Sequence, residues 1–170
     1  MITNDSILKS PRFAGAIKRY HTWPTLQAQT NADHCYHVLR IYSMIFGLPS
    51  PEVTGYIIWH DAGEIKTGDL PHPIKANNPA LKEVADRLEA EAVKDMGGPS
   101  LELSDDLKVK VKMADCIEML EFSMVELGLG NSWAQPISQN MSNAIQALIE
   151  KLPELERRSV IFYLHKIAGA

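Results

Sequence analysis

The sequence is poor in the features that mark several protein classes. It has two cysteines among 170 residues, Cys35 and Cys116, in neither a CxxC pair nor a disulfide framework. They read as reduced thiols in a reducing compartment. No apolar run approaches the roughly 20 residues that a membrane span needs. The stretch MITNDSILKSPRF has no basic region followed by an apolar block, so no signal peptide is expected. Positive charge is not in excess: 17 Lys and Arg against 21 Asp and Glu leave a net charge of -4, which argues against broad binding to nucleic acid. A cytoplasmic protein with neither nucleic acid nor membrane as partner is the expectation.

What is present is ordinary for a globular chain. A composition of 45% hydrophobic and 22% charged residues excludes a disordered, collagenous or low-complexity chain. The length suits one domain of roughly 100–200 residues, so residues 1–170 are expected to form a single domain.

Proline and glycine punctuate the chain, and the apolar spacing between them is helical. The pattern predicts helices over Ser10–Tyr20 and Asp33–Phe46, the second placing Val38, Leu39, Ile41, Tyr42, Ile45 and Phe46 in register. Ser50-Pro51-Glu52 is a start signal for a helix to about Ile65, apolar nearly all round and therefore expected to be buried. Thr67–Pro73 cannot continue it. Asn78-Pro79 starts another helix, stopped at Gly97-Gly98-Pro99, and Ser104-Asp105-Asp106 starts a long one to about Leu127. Pro136–Lys151 and Pro153–Ile167 complete the set. No segment shows clean strand alternation, so the predicted fold class is all-α.

Metal-ligand residue types fall on separate predicted helices: His34, the adjacent pair His60-Asp61, and Asp115. Two imidazoles and two carboxylates suit Zn, Mn, Fe or Co better than Mg or Ca, which prefer oxygen shells. An Asp inside an apolar helix needs a partner, either a metal or a salt bridge to Lys or Arg. Glu64 stands three residues after Asp61 and would share its helix face. Asp69 follows in a loop. Arg19, Lys75 and Lys112 each lie near a candidate ligand in the chain and could hold phosphate oxygens, or be ordinary surface cations.

The order His34, His60-Asp61, Asp115 resembles the H…HD…D signature of the HD-domain metal-dependent phosphohydrolases. The run from His60 through Glu64 and Asp69 to Lys75 is similar to the corresponding segment of the YfbR-like 5'-deoxynucleotidases. Arg19-Tyr20 stands fifteen residues before His34, the place of an Arg-aromatic pair in that subgroup, where a Trp is expected rather than Tyr20. Lys112, three residues before Asp115, matches as well. In size and N-terminal motif the chain is also similar to phage deoxyadenosine triphosphohydrolases of the 2-aminoadenine genome pathway, which remove dATP from the nucleotide pool. The resemblance covers about residues 10–130.

The resemblance implies a helical bundle with a central metal site, held by His34, His60, Asp61 and Asp115, with Zn, Co or Mn bound. It implies Glu64 as general acid/base and Asp69 as a catalytic residue near the sugar or the attacking water. It assigns Arg19, Lys75 and Lys112 to phosphate, and Tyr20, Thr22 and Pro73 to the nucleoside, with Trp23 either in that wall or in the core. The expected activity is hydrolysis of dATP to deoxyadenosine and triphosphate. The alternatives are a 5'-deoxynucleotidase acting on dNMPs and a nucleotide-binding regulatory protein without turnover. Relatives form homo-oligomers, so a dimer or a hexamer built from dimers is expected, with an exposed apolar face at Val160, Ile161, Tyr163, Leu164 and Ile167.

Overall fold

Helix signals in the sequence become eight helices in the described residues, and no strand accompanies them. The computed structural model describes Ser6, residues 9–99 and residues 102–169. The helices are α1 (Pro11–Gly15), α2 (Asn31–Phe46), α3 (Pro51–Trp59), α4 (His72–Asn77), α5 (Pro79–Asp95), α6 (Asp105–Gly128), α7 (Gln135–Ile149) and α8 (Glu154–Ala168), with 3-10 turns at Ala62–Ile65 and Ser132–Ala134. None of the described helices is long and apolar enough to cross a membrane. The chain divides into two compact units, and two of the boundaries between them fall inside α2 and α3.

The first unit takes in residues up to Pro24, Ala28–Cys35 and Ile58–Leu101. Its small core is Ala14, Ala62 and Val93, with Trp59, Ile65 and Met96 against them. The predicted helix over Ser10–Tyr20 stops at Gly15 instead. Residues 17–19 leave it to pair with residues 29–31, through Arg19 N–H to the Gln29 carbonyl (2.9 Å) and Asn31 N–H to the Ile17 carbonyl (3.0 Å). These bonds around the Lys18–Thr30 bridge replace the helical ones, a tertiary override of local propensity. The helix predicted from Asp33 begins two residues earlier. Thr30 and Asp33 form a reciprocal cap, with Thr30 N–H to Asp33 Oδ2 at 3.0 Å and Asp33 N–H to Thr30 Oγ1 at 3.3 Å.

The helix predicted to run to Ile65 ends at Trp59, so His60 and Asp61 lie beyond it, in a turn. A 3-10 turn over Ala62–Ile65 follows, and its Gly63 lies directly on α5. A Cβ on Gly63 would stand 2.4 Å from the Glu89 carbonyl oxygen. The short helix α4 begins at His72, at the end of the Thr67–Pro73 stretch that interrupts the preceding helix, and runs on to Asn77. Helix α5 ends as its glycines predict: Gly97 has φ +77°, and Gly98 N–H reaches the Val93 carbonyl at 2.9 Å, closing a Schellman cap.

The second unit takes in Thr25–Gln27, Tyr36–Ile57 and Glu102–Ala170. Its core is the larger one, with Val38, Val53, Ile57, Met113, Ala114, Ile117 and Val160 all fully buried. Burying one such Val, Ile or Met side chain contributes about 1.5–3 kcal/mol. Helix α3 is buried on one stripe rather than all round, since Ile58 is half exposed while Val53 and Ile57 are buried. Helix α8 likewise departs from expectation. Val160 and Tyr163 are buried, and the Tyr163 hydroxyl donates to Glu121 Oε1 at 2.6 Å. The apolar residues α8 leaves exposed are Leu155, Ile161 and Phe162.

Within this unit Glu126 is a fully buried carboxylate. It accepts backbone N–H groups of Leu26 and Gln27, each at 2.7 Å, and Nδ2 of Asn131 at 2.7 Å. Burial pushes its pKa up, but the three hydrogen bonds outweigh that and hold it below the ordinary carboxylate value. Cys116 is buried on α6, and burial raises its thiol pKa to about 11. Such a thiol is inert at neutral pH.

Candidate active site

In the first unit, the start of α2 and the turn after α3 bring three ligand-type side chains together. His34, one turn into α2, is fully buried. His60 and Asp61 are half-buried in the turn that follows Trp59. One ligand atom from each of His34, His60 and Asp61 lies within 4.8 Å of the other two. Asp61 Oδ2 is 3.4 Å from His60 Nε2 and 3.7 Å from His34 Nε2. Two donors bound at ~2.05 Å and a tetrahedral angle stand about 3.3 Å apart, so this spacing and donor chemistry fit a divalent transition metal.

Asp61 Oδ2 also accepts Arg19 Nη1, at 2.6 Å. The Arg19 side chain is largely buried, and its placement follows from the pairing of residues 17–19 with 29–31. A cation therefore sits at the edge of the candidate ligand cluster, where anionic oxygens would be drawn.

Glu64 is 5% exposed and stands in the 3-10 turn. The expected α-helical face shared with Asp61 is replaced by tighter geometry, with Glu64 N–H donating to the Asp61 carbonyl at 3.1 Å. Asn31 Nδ2 donates to Glu64 Oε2 at 2.9 Å and to the Asp61 carbonyl at 3.1 Å. Burial, then the Asp61 charge, pushes the Glu64 pKa up to about 8, against the pull of the Asn31 hydrogen bond.

The remaining predicted residues are placed as follows. The Asp69 carboxylate accepts the backbone N–H of Tyr20 at 3.0 Å. Tyr20 is half-buried with φ +54°, and the Arg19 guanidinium carbon lies 5.9 Å from its ring centre. Thr22 and Pro73 are exposed, and so is Trp23, which is not a core residue. Lys75 Nζ donates to Glu89 Oε1 at 3.2 Å, an oxygen that also accepts from Thr67 Oγ1 at 2.9 Å. Asp115 and Lys112 belong to the second unit, on α6, where Lys112 Nζ donates to Asp115 Oδ2 at 2.5 Å. The first unit thus gathers Arg19, His34, His60, Asp61 and Glu64 into one cluster. Lys75 and Lys112 each stand on a carboxylate.

Sequence reasoning missed Asn31 and Glu89. A signal for Asn31 was present, since it precedes His34 by three residues and shares its helix face. Nothing local marked Glu89, whose place depends on α5 lying against Gly63.

The family model described as 5'-deoxynucleotidase YfbR-like matches residues 15–168. The chain belongs to this family. A dATP triphosphohydrolase of cyanophage S-2L is 30% identical to this YfbR-like chain over 123 residues, 69% of this chain and 69% of that protein. The cyanophage S-2L HD phosphohydrolase DatZ, solved bound to dA and one catalytic Zn2+ ion, superposes with a TM-score of 0.76. It is 22% identical, and the match covers 100% of this chain and 99% of that one. The all-α HD fold is therefore shared along the whole length of this YfbR-like chain.

Proposed function

We propose that this protein is a metal-dependent phosphohydrolase that converts dATP and water to deoxyadenosine and triphosphate, removing dATP from the nucleotide pool. The observation that carries the reading is the His34–His60–Asp61 cluster with Arg19 and Glu64 on its edges. It occurs in a YfbR-like chain with a relative named as a dATP triphosphohydrolase. His34, His60 and Asp61 would hold a divalent ion such as Zn, Co or Mn, with Asp115 as a fourth ligand on the strength of the sequence motif. Such an ion supplies Lewis acidity toward a phosphoryl oxygen and lowers the pKa of water.

The chain's own residues do the rest. Arg19, Lys75 and Lys112 neutralise the phosphate charge that builds up in the transition state. The attacking oxygen bonds to the α-phosphorus as the bond to the 5' oxygen breaks. Glu64 exchanges the protons, taking one from the attacking water and giving one to the departing 5' oxygen. Tyr20, Thr22 and Pro73 wall the nucleoside. Residues 1–170 act as one phosphohydrolase domain in the cytoplasm. Leu155 (78% exposed), Phe162 (74%) and Met44 (54%) are exposed apolar residues that line one surface cavity of the second unit together with Arg158, Ser159 and Lys166, and their exposure supports a homo-oligomer.

The second reading is a 5'-deoxynucleotidase that releases phosphate from dNMPs, favoured by the description of the family itself. One experiment separates them. The protein is incubated with each dNTP and each dNMP in Co, Mn or Zn, and the products are resolved by chromatography. Deoxyadenosine with intact triphosphate from dATP establishes the first reading. Inorganic phosphate from dNMPs with dNTPs inert establishes the second. Lys75→Ala should weaken a triphosphate substrate more than a monophosphate, and equal effects would count against the first reading.

A further inference from the structure

Tyr20 is the one non-glycine residue with positive φ among the described residues, at +54°. Side chains with a Cβ rarely adopt this left-handed conformation unless surrounding bonds impose it. Three hydrogen bonds surround the position. Arg19 N–H reaches the Gln29 carbonyl at 2.9 Å, and the Tyr20 carbonyl accepts Trp23 N–H at 2.8 Å. The third is the N–H of Tyr20 itself, donated to Asp69 Oδ2 at 3.0 Å.

Asp69 is well placed to impose this conformation. It follows Gly68, whose φ of +72° turns the chain just after the 3-10 helix that carries Glu64. The Glu64 carbonyl accepts the N–H of Gly68 at 2.6 Å and of Thr67 at 3.2 Å. The Asp69 carboxylate therefore ties the segment carrying Glu64 to the turn carrying Arg19. On the far side of that tie, Arg19 Nη1 is 2.6 Å from Asp61 Oδ2. A charged acceptor on a backbone N–H is stronger than a neutral one, so the bond can hold a strained residue.

We infer that Asp69 is a positioning residue: its carboxylate holds Tyr20 in the left-handed turn that aims Arg19 at the ligand cluster, rather than touching the reacting atoms. This is an alternative to the catalytic role expected from the sequence and rests on the cluster being a phosphohydrolase site. What the role requires is an acceptor oxygen at Asp69, not an ionisable group.

The test compares Asp69→Asn, which keeps an acceptor oxygen, with Asp69→Ala, which does not. Hydrogen exchange at the Tyr20 amide, followed by NMR, should be slow in wild type and in Asp69→Asn and fast in Asp69→Ala. For turnover of whichever deoxynucleotide is the substrate, Asp69→Ala should lower kcat/KM by about 10- to 100-fold, the loss expected for a hydrogen bond to a charged group. Asp69→Asn should lose less than Asp69→Ala and keep the wild-type shape of the pH profile. Tyr20→Gly removes the left-handed penalty, so the further loss caused by Asp69→Ala should shrink in that background.

Two results would overturn the inference. One is a Tyr20 amide that exchanges equally slowly in Asp69→Ala. The other is Asp69→Asn as inactive as Asp69→Ala despite a protected Tyr20 amide, which would make Asp69 an acid or base. The amide measurement needs no substrate. If no deoxynucleotide is turned over, the phosphohydrolase reading fails while the amide result still decides whether Asp69 holds the turn.

Discussion

The Asn31 amide spans 2.9 Å to Glu64 Oε2 and 3.1 Å to the Asp61 carbonyl, so one buried side chain sets both the candidate proton carrier and the turn of a candidate ligand. Asn31 is itself fixed, because its backbone N–H donates to the Ile17 carbonyl at 3.0 Å. Removing the amide leaves Glu64 in place but unheld. Asn31→Ala should lower kcat by about 10- to 100-fold with bound metal retained, as expected for loss of a hydrogen bond to a carboxylate. Steady-state kinetics alongside elemental analysis checks this. Loss of metal instead would show that Asn31 serves the ligands rather than Glu64.

Asp61 and Glu64 should separate metal binding from turnover. Asp61→Ala removes a ligand and should abolish metal content and activity together. Glu64→Gln keeps the shape and should retain metal while the rate falls by about 10²–10⁴-fold, the usual contribution of a general acid/base. Metal per chain by elemental analysis, measured beside activity, is the readout. A Glu64→Gln protein lacking metal would move Glu64 into the ligand set. A chelator should abolish activity, and added Zn, Co or Mn should restore it.

Gly63 is required by the closeness of α5 rather than by its own dihedral angles. A methyl group there would stand 2.4 Å from the Glu89 carbonyl oxygen and 2.6 Å from the Glu89 carbonyl carbon, both backbone atoms. The 3-10 turn and α5 would have to separate. Gly63→Ala should destabilise the protein by about 1–3 kcal/mol, in the range of overpacked sites. Thermal denaturation would show this as a lowered Tm. An unchanged Tm would mean that α5 is free to shift.

Glu126 should make part of the stability acid-sensitive. Its folded pKa lies below the ordinary carboxylate value, because the bonds from Asn131, Leu26 and Gln27 outweigh burial. The folded state then binds fewer protons than the unfolded state. This contribution is full above the ordinary carboxylate pKa of about 4.3 and is lost as pH falls below it. Glu126→Gln should lower Tm at pH 7 and flatten the fall in Tm on acidification. Tm profiles of the two proteins from neutral to acid pH check the sign. Parallel profiles would mean that Glu126 titrates alike in both states.

The all-α class and the approximate span of every long helix were legible in the sequence, because apolar spacing and start and stop signals are local. Ser50-Pro51 opens α3, and Gly97-Gly98 closes α5, as local chemistry requires. Thr30 with Asp33 was also a local signal, a cap that moves the start of α2 back to Asn31. The residue types of the candidate site were legible for the same reason, since His34, His60-Asp61 and Glu64 carry their spacing in the chain.

Other features depended on contacts between distant segments. Helix α1 stops at Gly15 because residues 17–19 find better hydrogen bonds at residues 29–31, and that pairing carries Arg19 to Asp61. His60 and Asp61 leave the helix, and Glu64 enters a 3-10 turn that packs closely on α5 at Gly63. The exposed apolar residues of α8 are Leu155, Ile161 and Phe162, since its side toward the core takes Val160 and Tyr163. Periodicity reports which residues can share a face. Which face is buried, and where a helix gives way to a turn, is decided by what else competes for the same hydrogen bonds and the same space. The sequence by itself determined the long helices and the chemical inventory of the site. The tertiary structure alone decided that Asn31 holds Glu64 and that Asp69 holds Tyr20.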